Sequence, residues 1–368
     1  MFVAVQRTNP SAIIKAANPL NNSVMTKNIS SKRLCSQPPL VKRKFARGVS
    51  PNRMRVILST VLKWANGTEI KYMFVEGATA QKNVVRTAFK KWKSLGIGLS
   101  FTEVTTREES MVRIGFDYSD GSWSYVGRDV LTIPKKEITM NFGWDLTDSY
   151  GMTTALHEIG HTLGFQHEHQ SPFAGITWNT KAVYKEFSGP PNKWPKKEID
   201  SNILNKLSAN QVQGTDWDPK SIMEYEFGAG LVLKPAAYVK GIFPPGTLSK
   251  KDIDTMKSFY PVVKASEQIK LDINKVTRIK AQAGEQDDFI FTAPLTRKYT
   301  FQTTGNHDTV VVISEIGKTE NHYMAGDDDS GFESNAKIAL PLVKGRKYLV
   351  NVKVTYAPEK PNGSVVIL

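Results

Sequence analysis

One cysteine, Cys35, stands among 368 residues. A single thiol forbids an intramolecular disulfide, so a small disulfide-stapled scaffold is excluded and cysteine pairing says nothing about the redox compartment. Long apolar runs are missing too: no stretch approaches the roughly 18 residues a membrane span needs, and no membrane span is expected. The N-terminus lacks the continuous apolar core of a secretory signal, because Gln6, Arg7 and Asn9 break its short apolar start. Pro10, Pro19 and the Asn-rich stretch around Asn21 interrupt any amphipathic transit-peptide helix. Acidic residues are absent from the first fifty positions, which hold nine Lys and Arg. Those nine account for most of the net charge of +14, since residues 265–368 carry thirteen charges of each sign and residues 51–264 only +5. A folded basic face for nucleic acid is therefore not expected, and the remaining excess implies at most a weak bias towards acidic substrates.

What is present changes character twice along the chain. Residues 1–50, rich in Asn, Ser, Pro and basic side chains without a helical or strand period, read as a leader or pro-segment. From Thr68 the pattern alternates: a strand over 69–75, a helix over 80–94 with Val84, Val85, Ala88, Phe89 and Trp92 at helical spacing, then strands over 99–104, 111–116 and 139–142. Gly121–Gly127 reads as a turn or edge segment, and a further helix begins near 149–154. Residues 180–206 and 248–260 predict short helices, with a strand signal only at 231–233. From 265 short apolar runs bounded by Gly, Asn, Asp and Pro predict an all-β sandwich. The expected organisation is a leader over 1–50, a catalytic domain over 51–264 and a sandwich over 265–368.

Four of the six histidines fall between 157 and 169. On a helix, His157 and His161 are four apart and face one side, so both imidazoles can reach one metal ion. Glu158, about 100° round the helix, can meet a metal-activated water without ligating. Gly164 can end the helix in the left-handed conformation, letting His167 close on the same ion. Three neutral imidazoles leave zinc an open position, the arrangement of a catalytic site. Zinc would activate water and polarise a scissile carbonyl, while Glu158 takes the proton as general base and returns it as general acid. Amide hydrolysis is the expected outcome.

These residues resemble the extended zinc signature of the metzincin metallopeptidases, and Ser221-Ile-Met223-Glu-Tyr225 is similar to their Met-turn. The resemblance implies an α+β catalytic domain with a twisted mixed sheet, a zinc helix and the Met223 thioether beneath the imidazoles. It is nearest to the astacin-like branch and its microbial secreted relatives, because Glu168 follows the third histidine and Tyr225 stands two residues after Met223. It implies that Tyr225 assists the oxyanion and that Glu168 anchors the mature N-terminus; a packed turn tyrosine and a loop carboxylate are the plain alternatives. Astacins usually have His where this chain has Glu224 and usually carry disulfides.

Cys35 lies upstream of the basic run at 42–44, and a thiolate is a good zinc ligand. It is a candidate to occupy the open zinc position in a latent zymogen, the alternative being an ordinary unpaired cysteine. The C-terminal region resembles the bacterial pre-peptidase C-terminal domain, implying a β-sandwich that binds a surface or matrix. Its cluster Asp327–Asp329 is read either as a calcium site or as a solvated turn. The chain is thus read as an extracellular zinc endopeptidase acting on proteins or peptides. The competing reading is a surface- or matrix-binding protein with a vestigial metal site.

Overall fold

The computed structural model describes residues 34–39, 62–207, 216–262, 268–358 and 362–368. The upper part of the catalytic region is built on a five-stranded sheet in the order β2-β1-β3-β5-β4, from β1 (Glu69–Phe74), β2 (Ser100–Glu103), β3 (Val112–Gly115), β4 (Trp123–Ser124) and β5 (Met140–Asn141). The first three strands and β5 run parallel, and β4 lies antiparallel to β5 at the sheet's edge. Helix α1 (Thr79–Lys93) buries Val85, Ala88, Phe89 and Trp92, the i, i+3, i+4, i+7 stripe visible in the sequence. Its last turn carries Lys90, Lys91 and Lys93, cations that suit the negative end of the helix dipole.

Trp92 is fully buried, and its indole donates to the Leu156 carbonyl (3.2 Å) on helix α2 (Gly151–Thr162). The sheet, α1 and α2 enclose one core with Ile70, Val112, Met140, Phe142, Ile159 and Leu163. A lower half of α3 (Thr180–Phe187), α4 (Lys196–Ile199), a π-helical turn at Asp200–Leu204 and the ribbon β6 (Thr177–Trp178) with β7 (Val232–Lys234) packs around Val183, Phe187, Trp194 and Phe227. Helix α5 (Lys250–Phe259) closes the region. Leu34 and Cys35 are buried in this lower core. Within 1–50 only residues 34–39 are described, and Leu34 and Cys35 of that segment are packed against this core.

Nine strands follow: β8 (Ile269–Lys270), β9 (Thr277–Arg278), β10 (Gln286–Thr292), β11 (Arg297–Thr304), β12 (Asp308–Ile316), β13 (Asn321–Asp327), β14 (Lys337–Leu342), β15 (Lys347–Tyr356) and β16 (Ser364–Ile367). They form two sheets, β13-β12-β15-β10-β8 and β14-β11-β16-β9, facing each other across Phe289, Phe291, Tyr299, Phe301, Val350 and Val352. This is the expected sandwich. Strand β14 alternates strictly, with Ile338, Leu340 and Leu342 inward and Lys337, Ala339 and Pro341 outward. Its place at the sheet's edge is one that a proline tolerates.

Sequence patterning found the long strands and missed β6, β8, β9 and β13. Three of these are two-residue strands, and β13 is an exposed edge without a buried alternate face. The expected boundary at 264/265 falls within 263–267, outside the described residues.

Candidate metal centre

Three elements converge on the site: α2, the turn that follows it, and the Met-turn. Asp148 Oδ1 accepts from the backbone N–H groups of Tyr150 and Gly151 (2.8 Å each), satisfying donors that the start of α2 leaves free. The helix ends at Gly164, whose φ of +101° is the left-handed turn its lack of a side chain permits. Phe165 then donates its N–H to the Gly160 carbonyl (3.0 Å), and the chain doubles back to bring in His167.

Gly160 has a second role. A Cβ there would lie 2.5 Å from Met223 Sδ, so only glycine lets the thioether press against the helix between the two ligand turns. Met223 is itself held from behind. Asp252 on α5 accepts from Ser221 Oγ (2.6 Å), Ile222 N (2.8 Å) and Ser249 N (2.8 Å), which fastens the Met-turn to a capping box.

The imidazoles are buried. His157 Nδ1 donates to the Ile222 carbonyl (2.8 Å) and His161 Nδ1 to that of Phe165 (2.9 Å), which leaves each Nε2 with its lone pair turned inward. His157 Nε2 is buried without a hydrogen-bond partner, and His161 Nε2 lies 3.0 Å from His167 Nε2. Burial pushes the pKa of His157 down to about 4. Burial and the neighbouring imidazoles push His161 and His167 well below the ordinary value. Neutral rings are the form that binds a metal.

Cys35 completes the cluster. Its Sγ lies 3.4 Å from Glu158 Oε2 and 3.6 Å from His161 Nε2, and one ligand atom from each of Cys35, His157, His161 and His167 falls within 4.8 Å of every other. An orphaned imidazole nitrogen, two more face to face and a thiol form a donor set that fits a zinc ion. Glu158 is 1% exposed, and burial raises its pKa to about 8. Tyr225 donates its hydroxyl to the Cys35 carbonyl (2.5 Å) and lies 2.8 Å from His167 Nε2.

A sequence model of the astacin peptidase family matches residues 57–231. A solved structure of myroilysin is 32% identical, superposes with a TM-score of 0.52 and is covered over 98% of its length by 56% of this chain. The chain belongs to the astacin family. Zinc metalloproteinase nas-8 of Steinernema carpocapsae is 24% identical over 180 residues, 47% of this chain, and the chain spans 37% of that relative's length. The C-terminal part aligns with the pre-peptidase C-terminal domain of a Bacillus anthracis collagenase at 13% identity and a TM-score of 0.23, covering 28% of this chain and 95% of that one.

Two further groups stand beside the imidazoles, Glu168 and His169 with its partners. Glu168 faces the Met-turn loop: its Oε1 accepts from the Asp218 N–H (2.7 Å), and burial raises its pKa to about 7. His169 carried no role in the sequence. Its ring packs on that of Tyr225 with centroids 4.7 Å apart, its Nε2 meets the Asn202 carbonyl at 2.8 Å, and its Nδ1 faces Glu224 Oε1 at 3.5 Å. Glu224 also accepts from the Trp217 indole (2.7 Å) and from Tyr225 N (2.8 Å). The replacement of the usual astacin histidine by Glu224 was the only signal in the sequence pointing to this group.

Calcium is not supported at Asp327–Asp329. Asp327 accepts from Ser330 Oγ, Ser330 N and Lys337 N, and Asp328 pairs with Arg128 (2.7 Å), so these carboxylates are engaged by protein donors.

Proposed function

We propose that this chain is a zinc-dependent endopeptidase held in a self-blocked form, with His157, His161 and His167 holding the metal. The observation that carries the reading is the convergence of three neutral imidazoles on a buried carboxylate and on the thiol of Cys35. When bound, zinc supplies a Lewis acid that polarises the scissile carbonyl and makes water a nucleophile near neutral pH. Glu158 takes the proton from that water and delivers it to the leaving amine, the two-way transfer open to a carboxylate beside the ligands. Tyr225 already donates to a main-chain carbonyl, that of Cys35, and the same donation to a substrate carbonyl strengthens as negative charge develops there.

The leader also supports an extended lie for the substrate. Ser36 N donates to the Ser122 carbonyl (2.9 Å) beside edge strand β4, the main-chain contact by which an extended peptide of any sequence can bind. Latency follows from the same geometry: Cys35 holds the position that water and substrate need, and cleavage within the basic stretch 42–47 releases it. An extracellular setting belongs to this reading and is supported by the astacin kinship. A pure binding protein has little use for Glu158, because a buried carboxylate whose described partner is one thiol costs stability and returns none.

Glu158→Gln tests the conclusion. The active variant retains stoichiometric zinc by metal analysis while kcat/KM on casein falls about 10²- to 10⁴-fold, the range for loss of a general base. Casein cleavage at the parent rate with zinc bound would refute it.

A further inference from the structure

We propose that the place of Leu34 is a substrate subsite for a large aliphatic side chain, where the side-chain amide of Asn192 reads the main chain of the residue that fills it. This rests on the endopeptidase reading above and names its substrate class. Residues 34–36 are held at three consecutive main-chain points. Leu34 N donates to Asn192 Oδ1 (3.2 Å), the Cys35 carbonyl accepts from Tyr225, and Ser36 N donates to the Ser122 carbonyl (2.9 Å). Every peptide offers such groups, so a substrate that replaces the leader meets the same three partners.

The side chain at the first of these points is the selective one. Leu34 is 5% exposed and belongs to the apolar cluster of Ala174, Ile176, Val183, Phe187 and Trp194. An aliphatic side chain of that size gains from burial there, whereas a carboxylate or an ammonium in the same surroundings loses its hydration. Leu34 and Cys35 also line a cavity of about 290 Å³ that continues to Thr153, Pro244 and Pro245. The place is thus open on one side, and a substrate residue enters it without unpacking the lower core.

Asn192 is carried by backbone that owes nothing to the leader. Lys193 N donates to the Gly189 carbonyl (2.8 Å) and Trp194 N to the Phe187 carbonyl (2.9 Å), which folds the loop back on α3. The buried Trp194 ring stacks on Phe187 with centroids 5.9 Å apart. The amide therefore stays in position when the leader leaves. Its Nδ2 is buried beside the leader and has no hydrogen-bond partner among the described residues. A buried donor left unpaired is unfavourable, and a side-chain amide can hold an N–H and a C=O at once. A substrate whose main chain supplies both replaces the leader with one hydrogen bond gained.

The experiment uses the active, zinc-loaded enzyme on peptides built around one of its cut sites. Each of the two residues before and the two after the scissile bond is varied in turn among Leu, Ala, Asp and Lys. Each is also N-methylated separately, which removes its N–H. At one of these positions kcat/KM of the parent for Leu exceeds that for Ala about tenfold, and those for Asp and Lys by more. N-methylation of that same residue lowers kcat/KM about tenfold. Asn192→Ala abolishes this methylation penalty, and Asn192→Asp, which keeps an acceptor oxygen, restores it. Penalties compared between variants cancel the intrinsic effect of methylation and any general loss of activity, which a merely structural role of Asn192 would produce. A parent without a leucine preference at any of the four positions overturns the proposal, as does a methylation penalty equal in the parent and Asn192→Ala. Should neither variant fold, the parent decides it: leucine preference and methylation penalty on one residue support the proposal, and on different residues overturn it. A parent that cuts no peptide, casein included, removes the endopeptidase reading itself.

Discussion

Cys35 engages the site twice. Its sulfur reaches the cluster of imidazoles and Glu158, while its carbonyl takes the hydroxyl of Tyr225. Replacing the thiol deletes the first contact and keeps the second. Cys35→Ala in the full-length chain is therefore expected to raise basal casein cleavage at least about tenfold before any processing, since a thiolate is among the stronger zinc ligands. A variant as inactive as the parent would show that the backbone of the leader, rather than its thiol, keeps the site closed. The sequence showed a lone cysteine ahead of a basic run and the chemistry a thiol offers. It did not show that Cys35 touches Glu158, 123 residues further along the chain, a proximity only folding creates. His169 illustrates the same limit, because its partners Asn202, Glu224 and Tyr225 come from separate segments with no local motif.

At the scale of elements, the zinc helix announces itself and its supports do not. The spacing of His157, His161 and His167 follows from helix periodicity and a terminating glycine, both local properties. The Met-turn depends instead on Asp252, which accepts three hydrogen bonds while capping α5. Asp252→Ala removes the reciprocal half of the capping box and strands Ser221 Oγ and the Ile222 N–H, which is expected to cost about 2–4 kcal/mol and to lower the thermal midpoint. Tighter chelator competition for zinc would accompany it, measurable as weaker metal affinity.

The sandwich carries its own sensitivity at His307, 2% exposed, with both ring nitrogens unpartnered and Gly363 against the ring. Burial, and then Arg278, hold its pKa below the ordinary 6.5, while Asp287 acts the other way. The unfolded chain thus takes up the proton first. Stability falls as pH drops below about 6.5, by up to about 1.4 kcal/mol per pH unit until the depressed value is passed. His307→Leu should flatten that part of the midpoint-versus-pH curve between pH 7 and 5, measured by thermal denaturation.

For the whole molecule, the sandwich is joined to the catalytic region through one face. Strands β12 and β15 are buried on both sides: Val311, Ile313, Val350 and Val352 face the sandwich core, while Val310 and Val312 pack on Ala65. Lys353, 3% exposed, donates to the carbonyls of Lys63 and Trp64, and Gln286 accepts from Asn66 N (2.8 Å). The same short segment reaches the metal centre, for the Trp64 indole donates to the Thr162 carbonyl (2.8 Å) at the end of α2. Val312→Asp places a carboxylate in the contact without entering the sandwich core. It should cost about 3 kcal/mol or more and split calorimetric melting into two transitions, one for each part.

The sequence by itself determined what is local: the period of α1, the ligand spacing on α2, the turn at Gly164, and the alternation of strands such as β14. Each depends on residues within a few positions of one another, so helical or pleated geometry is enough to read it. Tertiary structure alone decided what Cys35 touches, why Gly160 must be glycine beneath Met223, and which face of the sandwich is covered. It also placed three carboxylates around a cavity inside a region whose net charge is +5. Those outcomes depend on distances between segments far apart in the chain, where burial and a low local dielectric, rather than composition, set the strength of every charge and hydrogen bond.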